Sequence, residues 1–291
     1  MINIQEVPEE FLDAKIIPYP VHNRSHNFEK LFLDAFRDTK EYESKLTYLP
    51  IQWTNYLVKN NYGKNVNSLQ QFCDQLSDDK KFFTIVQYDG GPLVNLNNCI
   101  VFSSGGMFNT VLNNNLSYIP IPLITDEHVS SIKRKRKFKI GYIGRNTHDV
   151  RQNLEKILSE NDFNRVINIK SDGVLKKDSK KFKKLLTQSI FSLCPRGFGP
   201  TSFRLYESLQ LGSIPIYVSD EFHLPYRDFI NWEKMCLLID INEIDKIQSK
   251  VDYLIESNRY IEMQEYGKFC HENYFNNDFM ISNIFEEVSK F

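Results

Sequence analysis

The sequence of 291 residues predicts an α/β chain of two domains, and three observations carry that prediction. Short apolar runs rich in β-branched residues alternate with segments of helical period, the pattern of parallel strands covered by helices. Residues 190–220, IFSLCPRGFGPTSFRLYESLQLGSIPIYVSD, read as a complete strand, loop, helix and strand. Over TDEHVSSIKRKRK, at 125–137, the apolar pattern gives way to polar and then basic residues, with enough chain on either side for a separate core. The division is placed between an N-terminal domain, 1–130, and a C-terminal domain, 131–291.

The hydrophobic fraction of 41% and charged fraction of 25% are those of a globular protein, and a formal net charge of −1 gives no case for a nucleic-acid or anionic-membrane partner. No apolar run reaches the length of a transmembrane span, and MINIQEVPEEFLDAK lacks a signal-peptide core. The five cysteines are odd in number, scattered and without a CxxC pair, which favours a reducing compartment over a disulfide scaffold.

In chain order, KIIPY (15–19) reads as a first strand. A helix follows from about Phe28 to Arg37, with Phe28, Leu31, Phe32, Ala35 and Phe36 on one face. The loop between them carries His22, Arg24 and His26, where the C-terminal end of a strand would face a ligand crevice. LTYLPIQWT (46–54) is a second strand, and Ser68–Leu76 a helix. FFTIVQY (82–88) and NCIVF (98–102) are buried strands, each ending at a glycine pair, Gly90–Gly91 and Gly105–Gly106. Paired glycines at strand ends suggest a cleft floor where backbone comes close to a ligand. YIPIPLI (118–124), with two prolines, is an extended edge segment. The basic run Lys133–Lys137 reads as a solvated linker.

The second domain opens with FKIGYIGRN (138–146), a strand, then Gly144 and Arg145, then a helix from Asp149 to Leu158. This strand–glycine–helix order is a phosphate-loop signal, weak on its own. INIKSDG (167–173) is the next strand and turn, and Ser179–Gln188 an amphipathic helix. Beyond 220, CLLIDI is a strand, and the remainder is helical in period, ending in DFMISNIFEEVSKF, a helix able to pack back across the two domains.

Within 190–220, Pro195, Gly197, Gly199 and Pro200 exclude regular structure and allow close approach of backbone. Thr201 or Ser202 can cap the following helix, and Gly212 stops it. Phe203, Tyr206 and Leu209 would face the core, while Arg204 and Glu207 share another face and can point at one ligand. A helix N-terminus flanked by Arg196 and Arg204 suits phosphate. A carboxylate one turn on can accept from two ribose hydroxyls. Together they specify a nucleotide, the alternative being an ordinary Arg–Glu surface pair on a βαβ crossover.

CPRGFGPTSFRLYESLQLGSIPIYVSD, followed by NWEKM at 231–235, resembles the C-terminal signature of the exostosin family of glycosyltransferases, and the likeness continues more weakly through FFTIVQYDGG and CIVFSSGG. The resemblance implies a GT-B fold, two Rossmann-like α/β domains facing a central cleft. It also implies a UDP-sugar donor, an oligosaccharide or glycoconjugate acceptor, and inverting transfer without a metal. Arg151 matches the family's helix-borne arginine that grips the diphosphate. Phe182 falls where members often carry a tyrosine near the nucleotide, a departure that an ordinary core phenylalanine would also explain. Eukaryotic members are typically membrane-anchored, so the expectation here is a cytoplasmic relative or the soluble part of an anchored enzyme.

For glycosyl transfer, Arg151 and Arg204 would stabilise the leaving diphosphate, with Arg196 and the 199–203 backbone, Gly199 included, in support. Asp220 and Glu221, just after IPIYVS, stand where donor-sugar hydroxyls would be read. A base must come from the opposite domain; Asp89 is the candidate, with His22 and His26 as alternatives. A catalytically silent exostosin-like domain that binds nucleotide or glycan is the competing class, and an epimerase on the same architecture a poorer match.

Overall fold

A computed structural model describes residues 2–13, 15, 27–39, 41–106, 117–128, 135–145, 147–168 and 176–291. The chain forms two compact units, Met1–Ile124 with Asn276–Phe291, and Thr125–Phe275.

The first unit holds β1 (Asn3–Ile4), α1 (Phe28–Asp38), β2 (Leu46–Tyr48), α2 (Trp53–Lys59), α3 (Asn67–Asp74), β3 (Lys81–Val86), β4 (Cys99–Ser103), β5 (Ser117–Pro120) and the terminal α9 (Asn277–Ser289). Its described strands form one parallel sheet in the order β1-β2-β3-β4-β5. The side-chain alternation of a strand divides β3 between two faces. Phe82 and Val86 join Leu49, Trp53, Leu57, Leu69 and Val101 in the core beside α2 and α3. Phe83 points the other way, its ring 5.0 Å from that of Tyr48 and 6.2 Å from Phe32 of α1. Phe285 of α9 closes this face, 5.0 Å from Phe32 and stacked on Tyr42. Each such ring pair adds about 0.5–1.5 kcal/mol beyond the area it buries.

Several expectations shift here. The strand expected over 46–54 ends at Tyr48; Leu49 still donates to Phe83 O at 2.9 Å, but Pro50 has no N–H to continue the ladder, and Trp53 instead begins α2. In α1 the buried set is Phe28, Glu29, Phe32 and Leu33, so the inward face is rotated towards Glu29 and Leu33, and Leu31, Ala35 and Phe36 are only half-buried. β5 is an edge strand among the described strands, in keeping with Pro120 at its end. KIIPY, His22, Arg24 and His26 lie outside the described residues.

The second unit runs β6 (Phe138–Gly144), α4 (Asp149–Leu158), β7 (Asn164–Asn168), α5 (Lys176–Gln188), β8 (Ser189–Pro195), α6 (Phe203–Gln210), β9 (Ile214–Ser219), β10 (Leu237–Asp240), α7 (Ile247–Glu256) and α8 (Arg259–Tyr274). Its parallel sheet has the order β10-β9-β8-β6-β7. Counted within the unit this is 2-1-3-4-5, the doubly wound order of Rossmann-like folds, with its switch point between β6 and β8. Ile140, Tyr142, Phe191, Leu193, Ile216 and Val218 meet Val150, Leu154, Ile247 and Val251 in a continuous core. A side chain at Gly141 would strike Ser189 Oγ at 2.1 Å, so glycine lets the start of β8 lie close over β6. The strand expected at 167–173 is β7, Asn164–Asn168, at the edge of the described sheet, with Val166 and Ile167 both half-buried.

The basic run also departs from expectation. Arg136 is half-buried and donates to Leu186 O at 2.9 Å and Ser189 O at 2.8 Å, with a further bond to Gly212 O. It ties the ends of α5 and α6 to the start of β8, so this cation is a structural staple. All five cysteines are free and buried, and no described helix is long and apolar enough to cross a membrane.

Candidate nucleotide site

In an open parallel sheet, ligands bind beyond the C-terminal strand ends at the switch point, here the loops that leave β6 and β8. The β8–α6 loop is RGFGPTS, 196–202, and it is pinned along its length. Arg196 N donates to Val218 O at 2.9 Å, and Gly197 N to Gly199 O at 3.1 Å. Pro200 O accepts from Tyr217 Oη at 2.9 Å and Ser219 Oγ at 3.2 Å. Ser202, extended at φ −149°, is the N-cap residue of α6, but its side chain makes no capping hydrogen bond. Thr201 is buried beside it. Side-chain capping by this pair, expected from the sequence, is therefore absent among the described residues, and the loop is held by its neighbours instead.

Arg151 ties the two loops together. From α4 its guanidinium donates to Arg196 O at 3.0 Å, Arg145 O at 2.9 Å and Pro195 O at 3.1 Å. Burial pulls it below its ordinary value, and Arg204 nearby adds to the effect. Three of its five N–H groups thus serve the backbone of the site. A side chain on Gly197 would lie 3.2 Å from Arg151 Nη2, so the glycine admits this crossing.

Arg204 leaves the first turn of α6 and crosses to β6. Its Nη2 donates to Ile143 O at 2.6 Å, and its guanidinium lies over the rings of Tyr142 at 4.7 Å and Phe182 at 5.5 Å. A Cβ on Gly144 would stand 3.0 Å from that Nη2 and 2.5 Å from Tyr142 Oη, so Gly144 makes room for both. Among the described residues, Nε and Nη1 of Arg204 are buried with no hydrogen-bond partner. Buried donors of a cation are rarely left so, and such groups mark places where a ligand can be received.

One turn along, Glu207 Oε1 accepts from His128 Nε2 at 2.9 Å. The His128 ring meets Phe182 edge-on at 6.1 Å. Arg204, Glu207 and Phe182 are thus brought together as expected, with His128 and Tyr142 added. No signal in TDEHVSS singled out His128, because its partner lies 79 residues away.

Arg196 pairs with Asp220 and also donates to Phe198 O at 3.4 Å. Burial opposes ionisation of Asp220, but the Arg196 bond and charge outweigh it and hold the carboxyl below its ordinary value. Glu221 is moved the other way by burial and then by the adjacent Asp220 charge. Two residues expected to serve different parts of a donor, Arg196 and Asp220, are here each other's partner. Cys194 is fully buried, which pushes its thiol up to about 11 and leaves it inert as a nucleophile.

Asp89, in the first unit, follows β3 in a turn closed by Gly91 N to Tyr88 O at 3.1 Å, with Gly91 at φ +70°. A Cβ on Gly105 would fall 2.5 Å from Asp89 Cα and 2.5 Å from Tyr88 O. The close approach expected of these glycines is therefore made, at Gly105, to the chain's own backbone. His22 lies outside the described residues, and no described group of three or more His, Cys, Asp or Glu could hold a metal ion.

Comparison with known proteins places this geometry in a family. A family model described as the Exostosin GT47 domain matches residues 87–254, more than half of the chain. The chain is 30% identical over 77 residues to a "Probable glucuronosyltransferase" of Oryza sativa subsp. japonica, covering 26% of this chain and 18% of that protein. It is 36% identical over 69 residues to a "Probable beta-1,4-xylosyltransferase" of Arabidopsis thaliana, covering 23% of this chain and 17% of that one. The matched segments thus span under a fifth of these relatives' own lengths. Among solved structures, a GtfA/B complex aligns at 12% identity and TM-score 0.45, covering 90% of this chain and 60% of that one. The pneumococcal O-GlcNAc transferase GtfA in complex with UDP and GlcNAc aligns at 12% identity and TM-score 0.41, covering 89% and 59%. With the signature and its loop geometry both in place, the chain belongs to the Exostosin GT47 domain family.

Proposed function

We propose that this chain is an inverting glycosyltransferase that moves a sugar from a UDP-sugar to a glycan hydroxyl without a metal ion. One observation carries the reading: Arg204 and Glu207, one turn apart on the helix behind the pinned glycine loop, stand at the switch point, and two buried nitrogens of Arg204 have no partner among the described residues. Family membership and the names of the glucuronosyl- and xylosyltransferase relatives support the reaction class.

In this reading the acceptor oxygen attacks the anomeric carbon of the donor. The bond from that carbon to the diphosphate oxygen breaks, and its electron pair stays on UDP. Arg204 and the positive end of the α6 dipole receive the charge that develops there, with Arg151 fixing the loops that frame it. Glu207 accepts from the ribose, and Phe182 walls the nucleoside side. The Arg196–Asp220 pair faces the donor sugar with Glu221. The acceptor proton passes to a carboxylate of the first unit, for which Asp89 is the candidate.

The test is a calorimetric titration of UDP into the wild-type chain, followed by turnover with a panel of UDP-sugars, with and without chelator. Binding that disappears in Glu207→Ala, and turnover indifferent to chelator, are the expected results. Absence of UDP binding by the wild type would overturn the reading. Turnover of Asp89→Asn at the wild-type rate would remove Asp89 from it.

A further inference from the structure

The polar stripe of α6 extends one member beyond the pair already described. Arg204, Glu207 and Gln210 recur at every third position, and His128 is fastened to the last two. Its backbone N–H donates to Gln210 Oε1 at 3.0 Å, and its ring Nε2 meets Glu207 Oε1 at 2.9 Å. A carboxylate only accepts, so Nε2 carries the proton of this bond. The side chain of His128 is 6% exposed and that of Glu207 12%. Among the described residues, His128 Nδ1 is buried without a hydrogen-bond partner. Phe182 lies against the same imidazole and under the Arg204 guanidinium.

A glutamate side chain has three rotatable bonds, and one held by nothing would lose that freedom on gripping a ligand. The bond from His128 engages one carboxylate oxygen, and the other keeps its capacity to accept from a second donor. Backbone and ring attachments together make His128 a bracket: the first fixes where the residue sits on α6, the second fixes where Glu207 points.

We infer that His128 is a positioning residue of the nucleotide site, which presets Glu207 to accept from ribose hydroxyls and so enforces selection of a ribonucleotide over its deoxy counterpart. This rests on the nucleotide reading of α6 proposed above. It also makes His128 one wall of the sugar side of the nucleoside pocket, with Phe182 as the ring it leans on.

The experiment measures UDP and 2′-deoxy-UDP affinities by calorimetry for the wild type, His128→Phe and His128→Gln. Phenylalanine keeps a ring against Phe182 but has no N–H for Glu207; glutamine places an N–H near the position of Nε2. The wild type is expected to prefer UDP by about tenfold or more, the value of a hydrogen bond to a charged acceptor. In His128→Phe that preference falls to within about twofold, with UDP affinity reduced more than that of 2′-deoxy-UDP, and His128→Gln restores part of it. A preference equal to wild type in His128→Phe overturns the inference while leaving the nucleotide site standing. A wild type that binds neither nucleotide overturns both. A His128→Phe variant that weakens both ligands equally shows a structural role only, and also overturns it.

Discussion

Glu29 and Arg204 are both charged side chains taken into the interior of an α/β unit beside strand ends, and the chain treats them in opposite ways. Glu29 is fully buried, and every side of its carboxyl group is met by protein. Thr54 N donates to it at 3.0 Å, Thr54 Oγ1 at 2.7 Å and Gln87 N at 2.9 Å. It joins the start of α2 to the end of β3 and leaves nothing for a ligand. Arg204 gives one nitrogen to Ile143 O and keeps two buried nitrogens without partners among the described residues. The contrast separates a charge that holds a fold from one that waits on a ligand: the first is answered by backbone, the second by aromatic faces that steer without neutralising.

The contrast can be broken most forcefully by truncation at both places. Arg204→Ala should lower transfer by about two to three orders of magnitude, the usual cost of one transition-state donor. Its melting temperature should fall less than that of Glu29→Ala, since one carbonyl bond and contacts with two ring faces are lost and no buried donor is stranded. Glu29→Ala should do the reverse. It strands three donors in the interior and should cost on the order of 3 kcal/mol of stability in denaturant titration, with UDP affinity of the folded protein unchanged. If Glu29→Ala abolished UDP binding in folded protein, or Arg204→Ala unfolded the chain, the division of roles would be wrong.

Titration sharpens it further. Burial raises the Glu29 carboxyl from 4.5 to about 7, against the pull of Gln87 and Thr54. The folded chain therefore keeps a proton that the unfolded chain releases between those values. The contribution of this group to stability is complete below 4.5 and is lost as pH rises through about 7. The loss is on the order of 3 kcal/mol. Stability measured against pH should show that fall in the wild type and not in Glu29→Gln.

A smaller effect probes the room left for Arg204. Gly144→Ala places a methyl group 3.0 Å from Arg204 Nη2 and 2.5 Å from Tyr142 Oη, and one of them must move. UDP affinity should fall by about tenfold, equivalent to one displaced hydrogen bond, without loss of the folded state by circular dichroism. Unchanged affinity would mean that the Arg204 pose along β6 is not the binding pose.

How much of this was legible in the chain depends on the distance over which each feature is decided. The helix at Asp149–Leu158, the strand at Ile214 and the stop at Gly212 are local matters of period, β-branching and positive φ, and the letters alone place them. So is the placing of Arg204 and Glu207 on one face, a matter of helical spacing. Glu29 was hidden because an acid in the first turn of an amphipathic helix ordinarily faces water; its partners, Thr54 and Gln87, are 25 and 58 residues away. Arg136 was hidden inside a basic run for the same reason, since the carbonyls that capture it come from three other elements. His128 escaped notice in a polar linker. The Arg196–Asp220 pair shows the limit from the other side: both residues were singled out, but spacing could not show that they would choose each other.

The central claim is that α6 offers a cation to a diphosphate and a carboxylate to the attached ribose. A structure of the chain with UDP tests it most directly. The account predicts diphosphate oxygens within hydrogen-bond distance of Arg204 and the first N–H groups of α6, with both ribose hydroxyls on Glu207. UDP bound elsewhere, with Nε and Nη1 of Arg204 unengaged and Glu207 touching only His128, would contradict it.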